Sequence, residues 1–230
     1  MKINKEQLNS ILEKHQKWID GIGGEQAVFP DNTEFLDLYE YDCFPAYCVF
    51  GNNIFKYDDE IEKTSFGDYC VFGDGNVFYR KITFGNFCEF GSNNLFRMQM
   101  DFGEGCVFGS FNVFLVSHTF GEKCEFGDYC TFQQSDFGKG CVFGFDSGFD
   151  ACLYNNKPII CLPDERFKTI HQTVYYIVDT DTIKHLTYEG DLSGYKTYIE
   201  NRFIDIGCDT MQRNIYLANI KYMEELKSLY

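Results

Sequence analysis

The sequence is poor in several features that would narrow its function at once. It has one Trp and four Pro in 230 residues, and no apolar run near the roughly 18 residues of a membrane span. Its start, MKINKEQLNS, is polar and indicates a helix rather than a signal peptide. Basic residues are few, because 20 Lys and Arg stand against 35 Asp and Glu. A net charge of -15 disfavours direct nucleic-acid binding and favours a partner with a basic surface.

Motifs of common catalytic and metal sites are also missing. The sequence has no P-loop, GxSxG, HExxH or dinucleotide fingerprint, and no Cys-x-x-Cys pair. Eleven cysteines are present, but most occupy one slot of a repeat, at positions 48, 70, 88, 106, 124, 130 and 141. Thiols arranged in a straight row cannot surround one metal ion tetrahedrally, as the ligands of a structural zinc site do. We interpret them as small apolar residues in a reducing cytoplasm, and we predict no metal and no cofactor.

What the sequence has in abundance is phenylalanine, with 25 residues, most of them in a repeat of the form Phe-Gly-x-x-(Cys/Asn)-x. Phe recurs every six residues from position 66 to 132 and, after one five-residue step, at 137, 143 and 149. Such a strict short period predicts a solenoid, in which each repeat contacts only its neighbours.

A longer period of 18 residues divides the slot two positions before each Phe into three columns. The first column holds Cys70, Cys88, Cys106, Cys124 and Cys141, the second Asn76, Asn94, Asn112 and Cys130, and the third Ile82, Met100, His118 and Ser135. We expect three sides per coil, with Phe and the slot residue pointing inward. Because stacked strands lie about 4.8 Å apart, the three Asn are expected to form an amide hydrogen-bond ladder.

These repeats resemble the hexapeptide-repeat family, whose members form left-handed parallel β-helices with an aliphatic residue where Phe stands here. The resemblance implies a mainly β fold, a parallel (left-handed) β-helix solenoid of about six 18-residue coils. The Gly after each Phe is expected to relax the backbone at or beside a corner.

The ends of such a solenoid expose strand edges and need caps. We predict an N-terminal helix and cap over 1–43, the β-helix over 44–149, and an α+β cap over 150–230. Asn4 and Gln7 form the pattern of a capping box at the start of the first helix. In the C-terminal cap, 173–178, 187–188 and 198–206 are predicted as strands and 211–229 as a closing helix.

The N-terminal segment carries a second resemblance. The pattern Leu8…Ile11-Leu12-x-x-His15-x-x-Trp18…Gly23-Gly24-x-x-Ala27 is similar to the leader helix that precedes pentapeptide repeats in many phage and prophage proteins. This chain departs from that family because its repeat runs in steps of six rather than five. The resemblance therefore implies an origin in a phage or mobile element, and not a pentapeptide helix.

His118 is the candidate catalytic residue. It is the one histidine of the predicted coils, and hexapeptide acyltransferases commonly use a histidine as general base with acetyl-CoA or another acyl-CoA. That resemblance implies an acyltransferase as an alternative function. The competing interpretation is structural, because an inward imidazole cannot reach a substrate hydroxyl or amine. Three histidine ligands, as in the carbonic anhydrases of this class, are not available in the coils.

Surface residues supply the candidate partner-binding set. The first side carries outward acids at Asp68, Glu89, Glu104, Glu122 and Glu125. The third side is expected to carry the cations Arg80, Lys81 and Arg97, the exposed apolar residues Tyr79, Met98, Leu115 and Val116, and an inserted loop containing Asp58, Asp59 and Glu60. The repeat pattern is kept less strictly on the third side than on the others, which suggests a surface that contacts a partner. Neutral sequence variation on a surface that tolerates substitution is the alternative interpretation.

These observations favour a non-enzymatic binding protein of a phage or mobile element. Its acidic solenoid is expected to dock in the bacterial host cytoplasm on a host protein, plausibly one that handles nucleic acid or serves in defence, and to inhibit or redirect it. DNA mimicry is a weaker version, since the coils carry roughly half the charge per length of duplex DNA. A virion structural component is a further alternative. The resembled families form trimers or dimers, so a homo-oligomer is expected.

Overall fold

The computed structural model describes residues 1–36, 43–55, 64–163, 173–185, 188–206 and 210–230. Within them the chain forms a parallel β-solenoid of about six coils, with a helix before it and strands and helices after it. The predicted mainly β solenoid with two caps is therefore confirmed.

The N-terminal helix, α1, spans Lys5–Ile19 and begins with the predicted capping box. The Gln7 N–H donates to Asn4 Oδ1 at 2.9 Å, and the Asn4 N–H donates to Gln7 Oε1 at 3.0 Å. His15 is fully buried and does more than fill space. The Ala27 N–H donates to its Nδ1 at 3.0 Å, which leaves Nε2 as the donor to the Ala46 carbonyl at 2.8 Å. This imidazole therefore fastens the helix to the start of the solenoid.

Three parallel sheets form the sides of the solenoid, and short strands of successive coils pair within each sheet. The first sheet contains Val28–Phe29, Val49–Phe50, Val71–Phe72, Glu89–Phe90, Val107–Phe108, Glu125–Phe126 and Val142–Phe143. The second contains Val77–Phe78, Leu95–Phe96, Val113–Phe114, Thr131–Gln133 and Gly148–Asp150. The third contains Cys43–Phe44, Thr64–Phe66, Ile82–Phe84, Met100–Phe102, Thr119–Phe120, Asp136–Phe137 and Leu153–Tyr154.

The parallel pairing begins earlier in the chain than position 44. Val28 and Phe29 pair in parallel with Val49 and Phe50, inside the segment that the sequence assigned to the N-terminal cap. A separate two-stranded sheet joins Lys2–Ile3 to Glu34–Phe35. The first coil is thus formed by residues whose repeat pattern is too irregular to be recognised.

Phenylalanine rings fill the interior as three stacked files. Within a file the rings lie nearly parallel, as for Phe96 and Phe114, whose centroids are 4.5 Å apart at an interplanar angle of 2°. Between files they meet edge to face, as for Phe102 and Phe108 at 5.2 Å and 84°. Both arrangements are favoured by the ring quadrupole, and together they explain why a single aromatic residue type suits every side.

The repeat glycines, which follow Phe on the first and third sheets, have a different role from the one expected. Gly85 and Gly103 do not have a positive φ, but a Cβ built on them would lie 2.4 Å and 2.5 Å from the side-chain oxygen of the residue below. These glycines are needed because stacked coils approach closely. The left-handed conformation falls instead three residues after Phe, for example at Tyr69 and Phe87, with φ of 58° and 56°.

The second column forms a ladder, but its hydrogen bonds run from side chain to backbone rather than from amide to amide. The Asn76 N–H donates to Asn94 Oδ1 and the Asn94 N–H donates to Asn112 Oδ1, both at 2.8 Å. Each Nδ2 donates to a glycine carbonyl three residues earlier, at 3.0 Å for Asn94. Every asparagine therefore satisfies backbone groups in two coils.

Thiols of the first column donate to carbonyls of the preceding coil. Cys88 Sγ lies 3.4 Å from the Gly67 oxygen, and Cys106 Sγ lies 3.4 Å from the Gly85 oxygen. Contacts with the thiols of Cys48 and Cys88, followed by burial, raise the pKa of Cys70. In the second column, burial raises the pKa of Cys130 to about 11. The cysteines of both columns are buried, as expected for small interior residues, and the raised pKa favours the neutral thiol at Cys70 and Cys130.

The C-terminal cap continues the third sheet with antiparallel strands. Its strands are Lys157–Pro163, Thr173–Ile177, Thr182–His185 and Tyr188–Gly190. Helix α2 spans Leu192–Ile206 and helix α3 spans Thr210–Lys227. The strand predicted over 198–206 is wrong, because that segment belongs to α2, which buries Leu192, Tyr195 and Ile199 in the core of the cap. No helix among the described residues is long and apolar enough to cross a membrane.

Candidate functional site

His118 occupies the interior of the solenoid rather than its surface. Its side chain is 1% exposed and lies among the rings of Phe96, Phe102, Phe114 and Phe120, with centroid distances of 5.5 to 6.5 Å. Neither ring nitrogen has a hydrogen-bond partner among the described residues. Burial lowers the pKa of His118 to about 4, so the imidazole is neutral at pH 7. A ring enclosed in this way has no path to a substrate.

Two of the predicted partner-binding acids serve the solenoid itself. Asp68 lies at a corner of the coil, where its Oδ1 accepts a hydrogen bond from the Asn86 N–H at 2.7 Å. Asn86 in turn accepts from the Glu104 N–H at 2.8 Å, and Glu104 pairs with Lys123 at 2.6 Å. Asp68 is half-buried as a result.

A sequence signal for these corner bonds was present in the position after the repeat glycine. On a second corner the same position holds Asp31, Asn52, Asp74, Ser92, Ser110 and Asp128, and each side-chain oxygen accepts from the backbone N–H at that position in the next coil. Short acceptor side chains recur there because each coil supplies one acceptor to its neighbour. The acids of this position are therefore poor evidence of a docking surface.

Glu89 and Glu125 have a different environment. Both are exposed residues of first-sheet strands and stand in register with Val107 between them. Val71, Glu89, Val107, Glu125 and Val142 form one outward row, called the first-sheet face below. Val107 and Val142 on this row are 41% and 53% exposed. Glu122 is also exposed, at the corner that precedes Glu125. The face thus alternates exposed carboxylates with exposed apolar side chains.

The residues predicted for the third side lie in the turns that connect the second sheet to the third. Lys81, Arg97 and Met98 are exposed there, Met98 to 49%. Arg97 stacks its guanidinium over the Tyr79 ring at 5.1 Å. Asp58, Asp59 and Glu60 of the insertion lie outside the described residues.

Four of these turn residues differ from expectation. Arg80 was predicted as an outward cation, but it is only 9% exposed. Tyr79, Leu115 and Val116 were predicted as exposed, and all three are half-buried. These turns therefore bury some of their side chains against the solenoid and leave others, such as Lys81 and Met98, exposed.

Exposed aromatic stacks were missed altogether. Tyr47, Tyr69 and Phe87 form one stack along the solenoid, with centroid distances of 5.0 and 5.2 Å, and Trp18 of α1 meets Tyr47 edge-on at 6.2 Å. A shorter stack joins Phe111 to Tyr129 at 4.9 Å. Their signal is an aromatic residue three positions after Phe, at the left-handed corner.

The described residues contain no group of three or more His, Cys, Asp or Glu arranged to hold a metal ion. The ten described cysteines are free thiols. Neither a protein-family model, nor a curated protein sequence, nor a solved structure matches this chain significantly.

Proposed function

We propose that this chain is a non-enzymatic binding protein of a phage or mobile element. Its solenoid docks on a host protein that carries a basic surface and inhibits or redirects that protein. The phage origin is supported by the leader-helix pattern over residues 8–27. The binding role is supported by the surface chemistry of the solenoid.

The observation that carries the proposal is the first-sheet face. Glu89 and Glu125 stand two coils apart, about 9.6 Å at the usual strand spacing, on a row whose other members are valines. In the part of the chain that the structure describes, neither carboxylate accepts a hydrogen bond from a corner backbone N–H, in contrast to the carboxylate of Asp68. Exposed apolar side chains between charges are a common composition of protein interfaces. A rigid row of this kind fits a partner with regularly spaced Lys or Arg.

Charge determines the kinetics of such an encounter more than its final affinity. A chain of net charge -15 attracts a basic partner over a distance set by the salt concentration. Binding should therefore become faster and tighter at low salt, while the valines contribute a part that salt does not remove. A host nuclease or other DNA-binding enzyme has the required basic surface, because it must bind phosphates itself.

A matched pair of charge-reversal variants tests the face. The first variant is Glu89→Lys with Glu125→Lys. The control is Asp101→Lys with Asp136→Lys, two acids that stand in register around Thr119 on the third sheet, also two coils apart. Both variants change the net charge equally and keep the same spacing. Binding to a panel of purified bacterial nucleases and DNA-binding enzymes is measured between about 50 and 300 mM salt.

We expect a salt-sensitive partner whose affinity falls at least about tenfold in the first variant and changes little in the control. Equal losses in the two variants would mean that net charge alone acts, and the assignment to the first-sheet face would fail. Absence of any salt-sensitive partner would contradict the binding proposal itself. Self-association into a dimer or trimer, expected from the resembled families, is measured in the same preparations by light scattering.

His118 lends no support to the alternative of acyl transfer. Its imidazole faces the interior, is 1% exposed and is surrounded by Phe rings. A general base needs to approach the proton it removes within hydrogen-bond distance, or through one water. Acyl-CoA consumption that is lost in His118→Ala would nevertheless favour an enzyme over a binding protein.

A further inference from the structure

A cavity lies where the irregular first coils meet the regular ones. Its volume is about 250 Å³, and its walls come from residues 32–35, 53–55, 64, 66, 77–80 and 82. Five aromatic residues line it, Phe35, Phe55, Phe66, Phe78 and Tyr79. An apolar cavity of about 150 Å³ is already large enough to take up benzene. The volume here is therefore enough for a small aromatic molecule with a polar substituent.

Thr64 gives this cavity a specific polar group. Its side chain is 5% exposed and lines the cavity, yet its hydroxyl oxygen has no hydrogen-bond partner among the described residues. In the next two coils the same inward slot holds Ile82 and Met100, which carry no hydroxyl. Burying a hydroxyl without a partner is unfavourable, so a group that pairs with it is expected inside the cavity.

Charge at the cavity selects among polar ligands. Arg80 is the one cation among its described lining residues and is 9% exposed. A guanidinium has five N–H donors, so it can serve a ligand in addition to contacts within the protein. Glu34 also lines the cavity, but its carboxylate pairs with Lys2 at 3.1 Å. An anionic oxygen near Arg80 and the Thr64 hydroxyl is therefore favoured over a cationic group.

We propose that this cavity is a binding site for a small aromatic carboxylate. The ring lies among the Phe side chains, and the carboxylate accepts hydrogen bonds from the Thr64 hydroxyl and from Arg80. The site is separate from the first-sheet face and does not depend on the partner proposed above.

Three probes separate the contributions of ring and charge. Benzoate carries both, benzyl alcohol keeps the ring without the charge, and acetate keeps the charge without the ring. Binding to the full chain is measured by calorimetry and by saturation-transfer NMR. We expect one saturable site for benzoate, at least about tenfold weaker binding of benzyl alcohol, and no saturable binding of acetate.

Two variants place the ligand in the cavity. Thr64→Val keeps the side-chain shape and removes the hydroxyl, and we expect it to weaken benzoate binding about tenfold. Thr64→Met fills the space with the residue that Met100 supplies in the same column, and it should abolish binding. Thr83→Val is the control, because Thr83 is an exposed residue of the adjacent third-sheet strand. Circular dichroism and thermal melting establish that each variant is folded.

Failure of all three probes to bind the folded chain would overturn the proposal, since the cavity would then hold only water. Benzoate binding that Thr64→Met leaves unchanged would place the ligand elsewhere and would also overturn it. Equal affinities for benzyl alcohol and benzoate would overturn the carboxylate assignment. Loss of benzoate binding in Thr64→Met, with retention in Thr83→Val, would support the site.

Discussion

The second and third columns face the same interior, but they follow different rules. In the second column, Asn76, Asn94 and Asn112 repeat one residue type because each bonds to backbone groups of its own and a neighbouring coil. In the third column the residue type changes from coil to coil, and two members, Thr64 and His118, bury polar atoms without a described partner. Repetition in the second column thus reflects a hydrogen-bond requirement, whereas in the third column no single hydrogen bond repeats from coil to coil.

The Phe residues beside both columns are expected to give the largest losses of stability on substitution. Phe96 adjoins the second column and Phe102 the third, and both are buried in stacked files. Replacement of either by Ala should lower the free energy of unfolding by about 3–5 kcal/mol, because a cavity opens in a packed interior. Urea denaturation measures both values. A much smaller loss at Phe102 would mean that the third side packs loosely, and the contrast between the columns would need another cause.

His118 makes the third column sensitive to acid. Its pKa is lowered to about 4 in the folded chain and is near 6.5 when unfolded, so the unfolded chain binds more protons between these values. Stability should therefore fall as the pH drops from about 6.5 toward 4, by about 3 kcal/mol from this residue. His118→Met introduces the residue that Met100 supplies in the same column and should remove that contribution.

Denaturation of both proteins at a series of pH values measures this effect as the difference between them. Comparison with His118→Met isolates the histidine from the carboxylates, which titrate in both chains. Parallel pH profiles of the two proteins would contradict a buried, unpaired imidazole.

Asn94 provides the complementary test in the second column. Asn94→Cys introduces the residue found at position 130 of the same column, but it withdraws the oxygen that accepts from the Asn76 N–H. We expect a loss of about 2 kcal/mol, since a buried donor is left without its partner. In the third column, Met100→Leu should cost less than about 1.5 kcal/mol, because volume is nearly conserved. Thermal and urea unfolding of the two variants measures this difference between the columns. Equal losses of stability in the two variants would contradict it.

The regular coils could be predicted from sequence because one period sets both the strands and their inward residues. Phe72, Phe90 and Phe108 pair in register because they stand 18 residues apart, as the sequence indicates. In the C-terminal cap no period was available, and the Ile and aromatic residues over 198–206 favoured a strand. The spacing of Leu192, Tyr195 and Ile199 indicates a helical face, and burial of that face in the cap decided the outcome.

The sites were harder to predict than the fold. Asp68 and Glu89 are both acids of the repeat, yet the Asp68 carboxylate accepts a hydrogen bond at a corner and Glu89 is exposed to solvent. Their repeat positions separate them, because Asp68 follows the repeat glycine and Glu89 precedes Phe, but the meaning of these positions became clear only from the contacts between coils. The cavity is the hardest site to predict from the sequence, since residues near 33, 54, 64 and 80 come together only when irregular coils stack on regular ones.

The close approach at each repeat glycine also limits how a solenoid of this kind can change size. At the glycine corners an inserted residue would place a side chain against the backbone below, where Gly85 and Gly103 leave no room for a methyl group. The irregular steps of this chain, from Phe55 to Phe66 and from Phe132 to Phe137, both begin where Phe is not followed by Gly. Changes at the glycine corners should therefore add or remove whole turns of about 18 residues, each about 4.8 Å in height. Homologues of such a protein would then differ in solenoid length by multiples of one coil.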